Sequence, residues 1–291
     1  MKTKCIPILS VILFASCFFN RSFAQKKDLV RIADSITREG RILYRSEWAS
    51  WYGTDIFVAK CATKKELAGG YLSYNSGTGL TNIFFSKGPT PLVLATISFG
   101  YDLKPNNYTL DTTSRKLTPV EEQLYTIRQA ALAKIYADTS FRIYKNTSLN
   151  LVPIIINTVR RVYVLSGSSI NGLVVFGNDY LFEFGTDDHL ISEKKIHKSF
   201  IPIKINKATT DSANTTDVAS IHTHSPETGD FITATDVCTL LLYENFTTWS
   251  QHIVISKNYV SVWDCKKNHL VILTAEAWKK ISGSVSTYLK N

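Results

Sequence analysis

The residues of this chain best suited to chemistry are two histidines and an aspartate. His222 and His224 end an apolar run, and Asp236 follows twelve residues after His224 at the head of another apolar run. On a β-strand, side chains at positions i and i+2 project to the same face, so the two imidazoles would point together with their backbones about 7 Å apart. Two imidazoles and a carboxylate can bind Zn²⁺, and three protein ligands leave the fourth tetrahedral position open, as catalytic zinc sites do.

The segment that carries Asp236 has the pattern of a helix start. Thr233 is a good N-cap residue, and Asp236 stands at the third helical position. A carboxylate in the first helical turn, facing the end of a neighbouring strand, would reach both histidines. The same residues also form a plain capping box, which needs no metal. The spacing alone therefore leaves two interpretations, a metal site or idle histidines beside an ordinary helix cap.

The elements around this segment predict an α+β fold. Three runs, "GGYLSYNSG", "GLTNIFFSKG" and "TPLVLATISFG", predict an antiparallel meander, and Thr118 with Glu121 predicts a capped helix after it. Beyond residue 141 strands dominate, with a hairpin turn at 185–188, a helix from 234 to about 245, and a final helix from Ala275. We expect a mixed or antiparallel sheet with flanking helices.

The first 24 residues have the pattern of a signal peptide. Two lysines precede an uncharged apolar run over residues 6–19, and Ser22 and Ala24 supply the small residues that a signal peptidase reads. The apolar run has 14 residues, whereas a membrane span needs about 20. We therefore predict a secreted or periplasmic protein that is cleaved after Ala24. Acylation of Cys17, as in a lipoprotein, is the alternative.

The composition of residues 25–291 excludes several classes of protein. Removal of the signal lowers the formal net charge from +9 to about +6, and the charges are dispersed, so we expect no nucleic-acid partner. No second long apolar stretch is present, so we expect no integral membrane segment in the mature chain. Three cysteines without a Cys-x-x-Cys pair allow at most one disulfide, and they exclude a zinc ribbon.

We divide the chain into an N-terminal α+β region of unknown role, 25–145, and a domain that contains the histidines, 146–291.

The stretch "HTHSPETGDFITATD" resembles the JAMM motif of JAB1/MPN/Mov34-type metalloproteases, the MPN+ class that includes RadC-like proteins. That motif is His-x-His-Pro, about seven residues, Ser, two residues and Asp. The resemblance implies a zinc-dependent peptidase or isopeptidase with a layered, cytidine-deaminase-like C-terminal domain and a peptide or protein substrate. It implies that His222, His224 and Asp236 hold zinc and that Thr233, which stands where the family has serine, helps to stabilise the oxyanion. The proline comes one position late, as Pro226, and the interval to Asp236 is one residue longer.

The JAMM family also requires an upstream glutamate on a strand, which acts as general base on the zinc-activated water. Glu183 lies 39 residues before His222 in an otherwise aromatic and aliphatic run, and Glu193 on the return strand is the reserve candidate. A solvent-facing glutamate on a half-buried strand is the alternative interpretation of Glu183. If neither carboxylate reaches the ion, the chain would be a non-catalytic secreted binding or interaction module with a degenerate JAMM-like fold.

Other histidine-containing enzyme classes fit less well. The phrase "IHTHS" also resembles the opening motif of PHP-type phosphoesterases, but only 67 residues follow His224 and they contain two histidines. Zinc deaminases need His-x-Glu and Pro-Cys-x-x-Cys, and a serine hydrolase of the nucleophile-elbow type needs Gly-x-Ser-x-Gly. None of these motifs occurs. A zinc-dependent, JAMM-like hydrolase is therefore our prediction, with the non-catalytic module as the alternative.

Overall fold

The fold is α+β, as the sequence patterns predict, with antiparallel sheets and flanking helices. The structure is a computed structural model that describes residues 9–205 and 219–288. Over this part of the chain there are four α-helices: α1 (Leu9–Lys60), α2 (Pro119–Ala137), α3 (Ala234–Tyr243) and α4 (Ala275–Tyr288). Two short 3₁₀ helices cover Ala62–Leu67 and Glu244–Phe246.

The first sheet is the predicted antiparallel meander. Its five strands are β1 (Ala68–Asn75), β2 (Leu80–Ser86), β3 (Leu92–Phe99), β4 (Tyr108–Asp111) and β5 (Arg115–Lys116). The first three strands pair in sequence order, and β4 and β5 both pair with β3. One face of this sheet packs against α1 through aromatic side chains, including the stacked rings of Phe57 and Phe84.

Six strands follow α2 and form two further antiparallel units. They are β6 (Thr147–Ile156), β7 (Val159–Ser168), β8 (Leu173–Gly177), β9 (Tyr180–Phe184), β10 (Leu190–Lys195) and β11 (Phe200–Lys204). The order β10-β9-β7-β6 makes one sheet, while β8 pairs with β11. The predicted hairpin turn at residues 185–188 connects β9 and β10.

The last sheet has one parallel pair, and that pair determines where the motif residues lie. Its strands are β12 (Ala219–Thr223), β13 (Gln251–Ile255), β14 (Tyr259–Asp264) and β15 (His269–Thr274). The strands β12 and β13 are parallel, whereas the other neighbours are antiparallel. Parallel neighbours require a crossover connection, and here α3 lies within it. The crossover returns β13 to the side of β12, and the start of α3 lies near the end of β12.

The helix α2 begins as predicted. The Thr118 hydroxyl accepts a hydrogen bond from the Glu121 amide at 3.3 Å, and the Glu121 carboxylate accepts one from the Thr118 amide at 2.8 Å. Glu121 is fully buried and is also paired with Arg115 at 2.7 Å. The apolar face of α2 follows helical spacing and packs on the β6-β7-β9 core, except that Leu124 packs on the first sheet. Its buried members are Leu124, Ile127, Ala131 and Ile135.

The helix α1 contacts both regions into which we divide the chain. Trp48, Ala49 and Phe57 pack on the first sheet, while Ala33 lies in the core that contains α3 and the last sheet. At Gly40 a Cβ atom would lie 2.6 Å from the Val237 side chain, so only glycine permits this approach of α1 to α3. Residues 25–145 therefore share cores with 146–291. The boundary between them stays a prediction.

Several sequence predictions fall partly or wholly outside the described residues. Residues 1–8 of the predicted signal are among them, as is the predicted polar loop at 206–217. Within 9–205 and 219–288 no helix is both long and apolar enough to cross a membrane. The three cysteines after the predicted signal, Cys61, Cys238 and Cys265, are free thiols in this structure.

Candidate metal centre

Three histidines and an aspartate converge in the interior of the chain. His222 belongs to β12, His224 follows that strand directly, Asp236 lies in the first turn of α3, and His197 lies in the turn between β10 and β11. One ligand atom from each residue can be chosen so that all four lie within 4.8 Å of one another. Each residue is at most 7% exposed. The described chain thus contains a buried His₃Asp group that could bind a metal ion.

Most distances between the ligand atoms are close to those around a single tetrahedral ion. The Nε2 atoms of His197 and His224 lie 2.9 Å apart, and those of His222 and His224 lie 3.0 Å apart. Each of the three Nε2 atoms lies 3.5 to 3.8 Å from an oxygen of Asp236. Four nitrogen or oxygen ligands on a tetrahedral Zn²⁺, at about 2.0–2.1 Å from it, would lie roughly 3.3 Å apart. The two nitrogen–nitrogen and three nitrogen–oxygen distances lie within about 0.5 Å of this value, and all four ligand atoms lie within 4.8 Å of one another. Nitrogen and oxygen donors of these types suit a zinc ion.

Strand alternation directs the two motif histidines inward. His222 and His224 are buried, whereas Ile221, the residue before His222, is 56% exposed. The His224 amide donates to the Ile255 carbonyl at 2.9 Å, which extends the parallel pairing one residue past β12. The prediction that both imidazoles project to the same face is therefore confirmed by the geometry.

The capping box of α3 and the ligand position of Asp236 occur together. The Thr233 hydroxyl accepts from the Asp236 amide at 3.1 Å, and Oδ2 of Asp236 accepts from the Thr233 amide at 2.9 Å. The Thr233 hydroxyl also donates to Oδ2 of Asp236 at 2.8 Å. These bonds hold the carboxylate in one orientation, and its oxygens still lie within reach of all three histidines. The two interpretations of this segment are thus compatible.

A tight turn between β8 and β9 orients His197. Gly177 has φ +76°, and a Cβ there would lie 2.2 Å from the Ser199 carbonyl oxygen, so this approach of two backbones requires glycine. Asp179 follows, and its Oδ1 accepts from the His197 amide at 3.0 Å and contacts His197 Nδ1 at 2.7 Å. The other carboxylate oxygen accepts from the Thr235 hydroxyl. A carboxylate that fixes the second nitrogen of a metal-binding histidine is a common feature of zinc sites.

A second chain of hydrogen bonds fixes His222. Its Nδ1 lies 3.0 Å from Nε2 of His252, and Nδ1 of His252 lies 2.6 Å from the Ser220 hydroxyl. His252 is fully buried and stacks on Phe176, with ring centroids 4.7 Å apart. If each Nδ1 carries the proton, every bond in the chain is satisfied and Nε2 of His222 keeps a free lone pair for an ion.

The electrostatics of the group favour a positive charge at its centre. Burial opposes protonation of His197, but the carboxylates of Asp236 and Asp179 outweigh it and raise the His197 pKa to about 11. Burial lowers the pKa of His224 to about 4 and that of His252 to about 3. Burial alone would raise the pKa of Asp236, yet the neighbouring histidines, His197 first, hold it well below its usual value. In the metal-free protein the His197 proton therefore supplies the charge that a cation would supply.

Family models, curated proteins and solved structures contain no match to this chain. What bears on its function is therefore the geometry of the site. The JAMM-like architecture and the hydrolase activity that the motif implies remain proposals.

The structure brings the three predicted ligands together, while the predicted base, Glu183, is paired with other residues. Glu183 accepts from Arg161 at 3.0 Å and from the Ser192 hydroxyl at 3.0 Å, and its side chain is 40% exposed. Glu193, the reserve candidate, pairs with Lys134 at 3.4 Å. Neither glutamate is a member of the His₃Asp group. The carboxylate that contacts this group from the neighbouring β8–β9 turn is Asp179.

Sequence reasoning missed His197, Asp179 and His252. His197 occupies the position that the prediction left open for water, so the group offers four protein ligands rather than three. No local spacing in the sequence marks these three residues. The structure brings four of the chain's six histidines together, while the two others, His189 and His269, are exposed.

Proposed function

We propose that this protein binds one Zn²⁺ through His197, His222, His224 and Asp236, and that the ion is structural. The observation that carries the proposal is the closed ligand set, in which four buried side chains converge and leave no position open. Structural zinc sites have four protein ligands, whereas catalytic sites keep one position for water. Hydrogen bonds with Asp179, Thr233 and His252 hold three of the four ligands, His197, Asp236 and His222, in place, as in a rigid zinc site.

In this proposal the ion joins three separate parts of the chain. It would connect the end of β12, the start of α3 and the β10–β11 turn, which otherwise meet through a partly protonated histidine group. The protein is then a zinc-stabilised module of JAMM-like architecture that has no hydrolytic role. Glu183, which lies 39 residues before His222, supplies no base to the site in this proposal, because its carboxylate is hydrogen-bonded to Arg161.

A zinc-dependent, JAMM-like peptidase or isopeptidase is the second candidate, and one observation favours it. A cavity of about 10 Å³, near the size of one water molecule, is lined by Asp179, Thr235 and Asp236. If His197 left the ion, Zn²⁺ would supply Lewis-acid activation of water there. Asp179 would then be the carboxylate in position to accept a proton, with Thr233 beside the ligand Asp236. The substrate would be a peptide or protein.

We also propose that the protein is exported. The support is the basic, apolar and small-residue pattern of residues 1–24, with Gln25 as the first residue of the mature chain. Sequencing the N-terminus of the protein recovered from the secreted or periplasmic fraction tests this. A chain that keeps residues 1–24 in the cytoplasm would contradict export, and a lipid on Cys17 would favour the lipoprotein alternative.

Cobalt substitution distinguishes the structural site from the catalytic one. In Co²⁺-loaded protein a closed His₃Asp site gives a tetrahedral visible spectrum that millimolar azide does not change, because no ligand position is exchangeable. The variant His197→Ala opens one position, and its spectrum should respond to azide. A wild-type spectrum that shifts with azide as the variant does would overturn the structural proposal and support the hydrolase.

A further inference from the structure

A cleft separate from the metal centre has an unusual combination of acidic and aromatic walls. It has a volume of about 300 Å³ and lies between α1, β1, the β6–β7 sheet and the end of α3. We call it the acid–aromatic cleft; its chemical groups come mainly from Glu47, Asp55, Trp51, Tyr71, Asn150 and Tyr243. None of the residues that line it is a lysine, arginine or histidine. It shares no residue with the His₃Asp group.

Glu47 is the buried acid of this cleft and is only partly hydrogen-bonded. It is 8% exposed, and the bond described for its carboxylate is a long one of 3.3 Å from the Asn150 side-chain amide to Oε2. Burial raises the pKa of Glu47 to about 7. A buried carboxylate without a cationic partner is costly, and natural proteins normally pair it. Asn150 itself is held by the Tyr71 hydroxyl at 3.2 Å.

The aromatic side chains form a second wall that favours a cation. Trp51 is 39% exposed and lies 5.8 Å from the Tyr243 ring and 5.8 Å from the Phe246 ring, the latter stacked at 11°. Cations bind over the faces of Trp and Tyr rings because the ring quadrupole is negative there. Asp55, one helical turn after Trp51, adds a second carboxylate at the exposed side.

We propose that the acid–aromatic cleft binds an organic cation, a primary ammonium group on a short alkyl chain. The ammonium would complete the hydrogen bonding of Glu47, and its alkyl chain would lie against Trp51 and Tyr243. The volume of about 300 Å³ accommodates a ligand of this size. A neutral polyol would leave the Glu47 carboxylate without a charge partner, so the cleft disfavours it.

Titration with n-butylammonium at pH 8 tests the proposal, with n-butanol as the uncharged isostere. We expect the Trp51 indole N–H signal in a ¹H–¹⁵N spectrum to shift with a dissociation constant on the order of 1 mM. Butanol should bind about tenfold more weakly or not at all. Glu47→Gln should weaken butylammonium binding about tenfold or more, since it removes the charge and keeps the shape.

Two further variants make the result decisive. Asp55→Asn changes an exposed residue of the cleft and should weaken binding about threefold, so it tests the charge even if Glu47→Gln does not fold. Asp28→Asn removes an exposed carboxylate from the same helix outside the cleft and should leave binding unchanged. Equal affinity for butylammonium and butanol, equal affinity in Glu47→Gln and wild type, or no shift of the Trp51 signal would each overturn the proposal.

Discussion

At the scale of single residues, the ligands that are close in sequence could be predicted and the distant ones could not. His222, His224 and Asp236 belong to one strand–turn–helix segment, so the alternation of a strand and the position of a helix cap determine where they point. His197 and Asp179 meet the segment through tertiary structure. Their positions depend on the turn at Gly177, where the backbone closely approaches Ser199. No spacing of residue types in the sequence predicts that contact.

The placement of Glu183, the predicted general base, has a local explanation. Alternation in β9 turns Glu183 away from Phe182 and Phe184, which are buried, and so directs it to Arg161 rather than to the histidines. The solvent-facing alternative in the sequence interpretation describes this placement better. The carboxylate that contacts the site is Asp179, four positions earlier in the β8–β9 turn, just before the same strand.

Glu47 should make the stability of the protein depend on pH. Its pKa rises from 4.5 to about 7 on folding because of burial. Between these values the folded state holds a proton that the unfolded state has released, so the free energy of unfolding falls as pH rises and levels off above pH 7. Glu47→Gln removes this loss. The difference in the free energy of unfolding, variant minus wild type, should be about 2–3 kcal/mol larger at pH 8 than at pH 5.

Urea denaturation at pH 5 and pH 8 measures this difference, because other titrating groups cancel when variant and wild type are compared at each pH. The same wild-type-to-variant difference at both values would contradict a raised Glu47 pKa. The comparison should be made without organic amines, since a cation in the acid–aromatic cleft would restore stability at pH 8.

At the scale of elements, the sequence predicted what local chemistry determines. The capping boxes of α2 and α3, the antiparallel meander β1-β2-β3 and the hairpin at 185–188 all follow from residue type and spacing, and the structure confirms them. The division of the last half into separate sheets was not predicted, because it depends on which strands pair over long sequence distances. The parallel pairing of β12 with β13 is one such contact.

Thr118 should contribute to stability through its cap alone. Thr118→Ala removes the acceptor for the Glu121 amide, so α2 should lose about 1 kcal/mol of stability. Thr126→Ala is the matched control, since its hydroxyl bonds back to the Glu122 carbonyl on the exposed side of the same helix. Thermal or urea denaturation measures both. Equal losses of stability in the two variants would show that the Thr118 cap contributes no more than an ordinary exposed hydroxyl.

At the scale of the whole molecule, the candidate metal centre lies where separate parts of the chain meet. The long helix α1 packs on α3 and on the first sheet, and α3 carries one ligand at its start and Tyr243 of the acid–aromatic cleft at its end. Zinc at one end of α3 should therefore stabilise the packing of the whole molecule. Free zinc at one hundred times its dissociation constant would add about 2.7 kcal/mol to the free energy of unfolding.

The most direct test of the account is the zinc content of the purified protein. We expect one zinc per chain by elemental analysis, and loss of stoichiometric zinc in the double variant His222→Ala/His224→Ala, with the folded circular-dichroism spectrum retained. The control is His189→Ala/His269→Ala, which removes two exposed histidines and should keep one zinc. Zinc-free wild-type protein after purification in zinc-containing buffer, or unchanged zinc in the site variant, would contradict the claim that the His₃Asp group holds the ion.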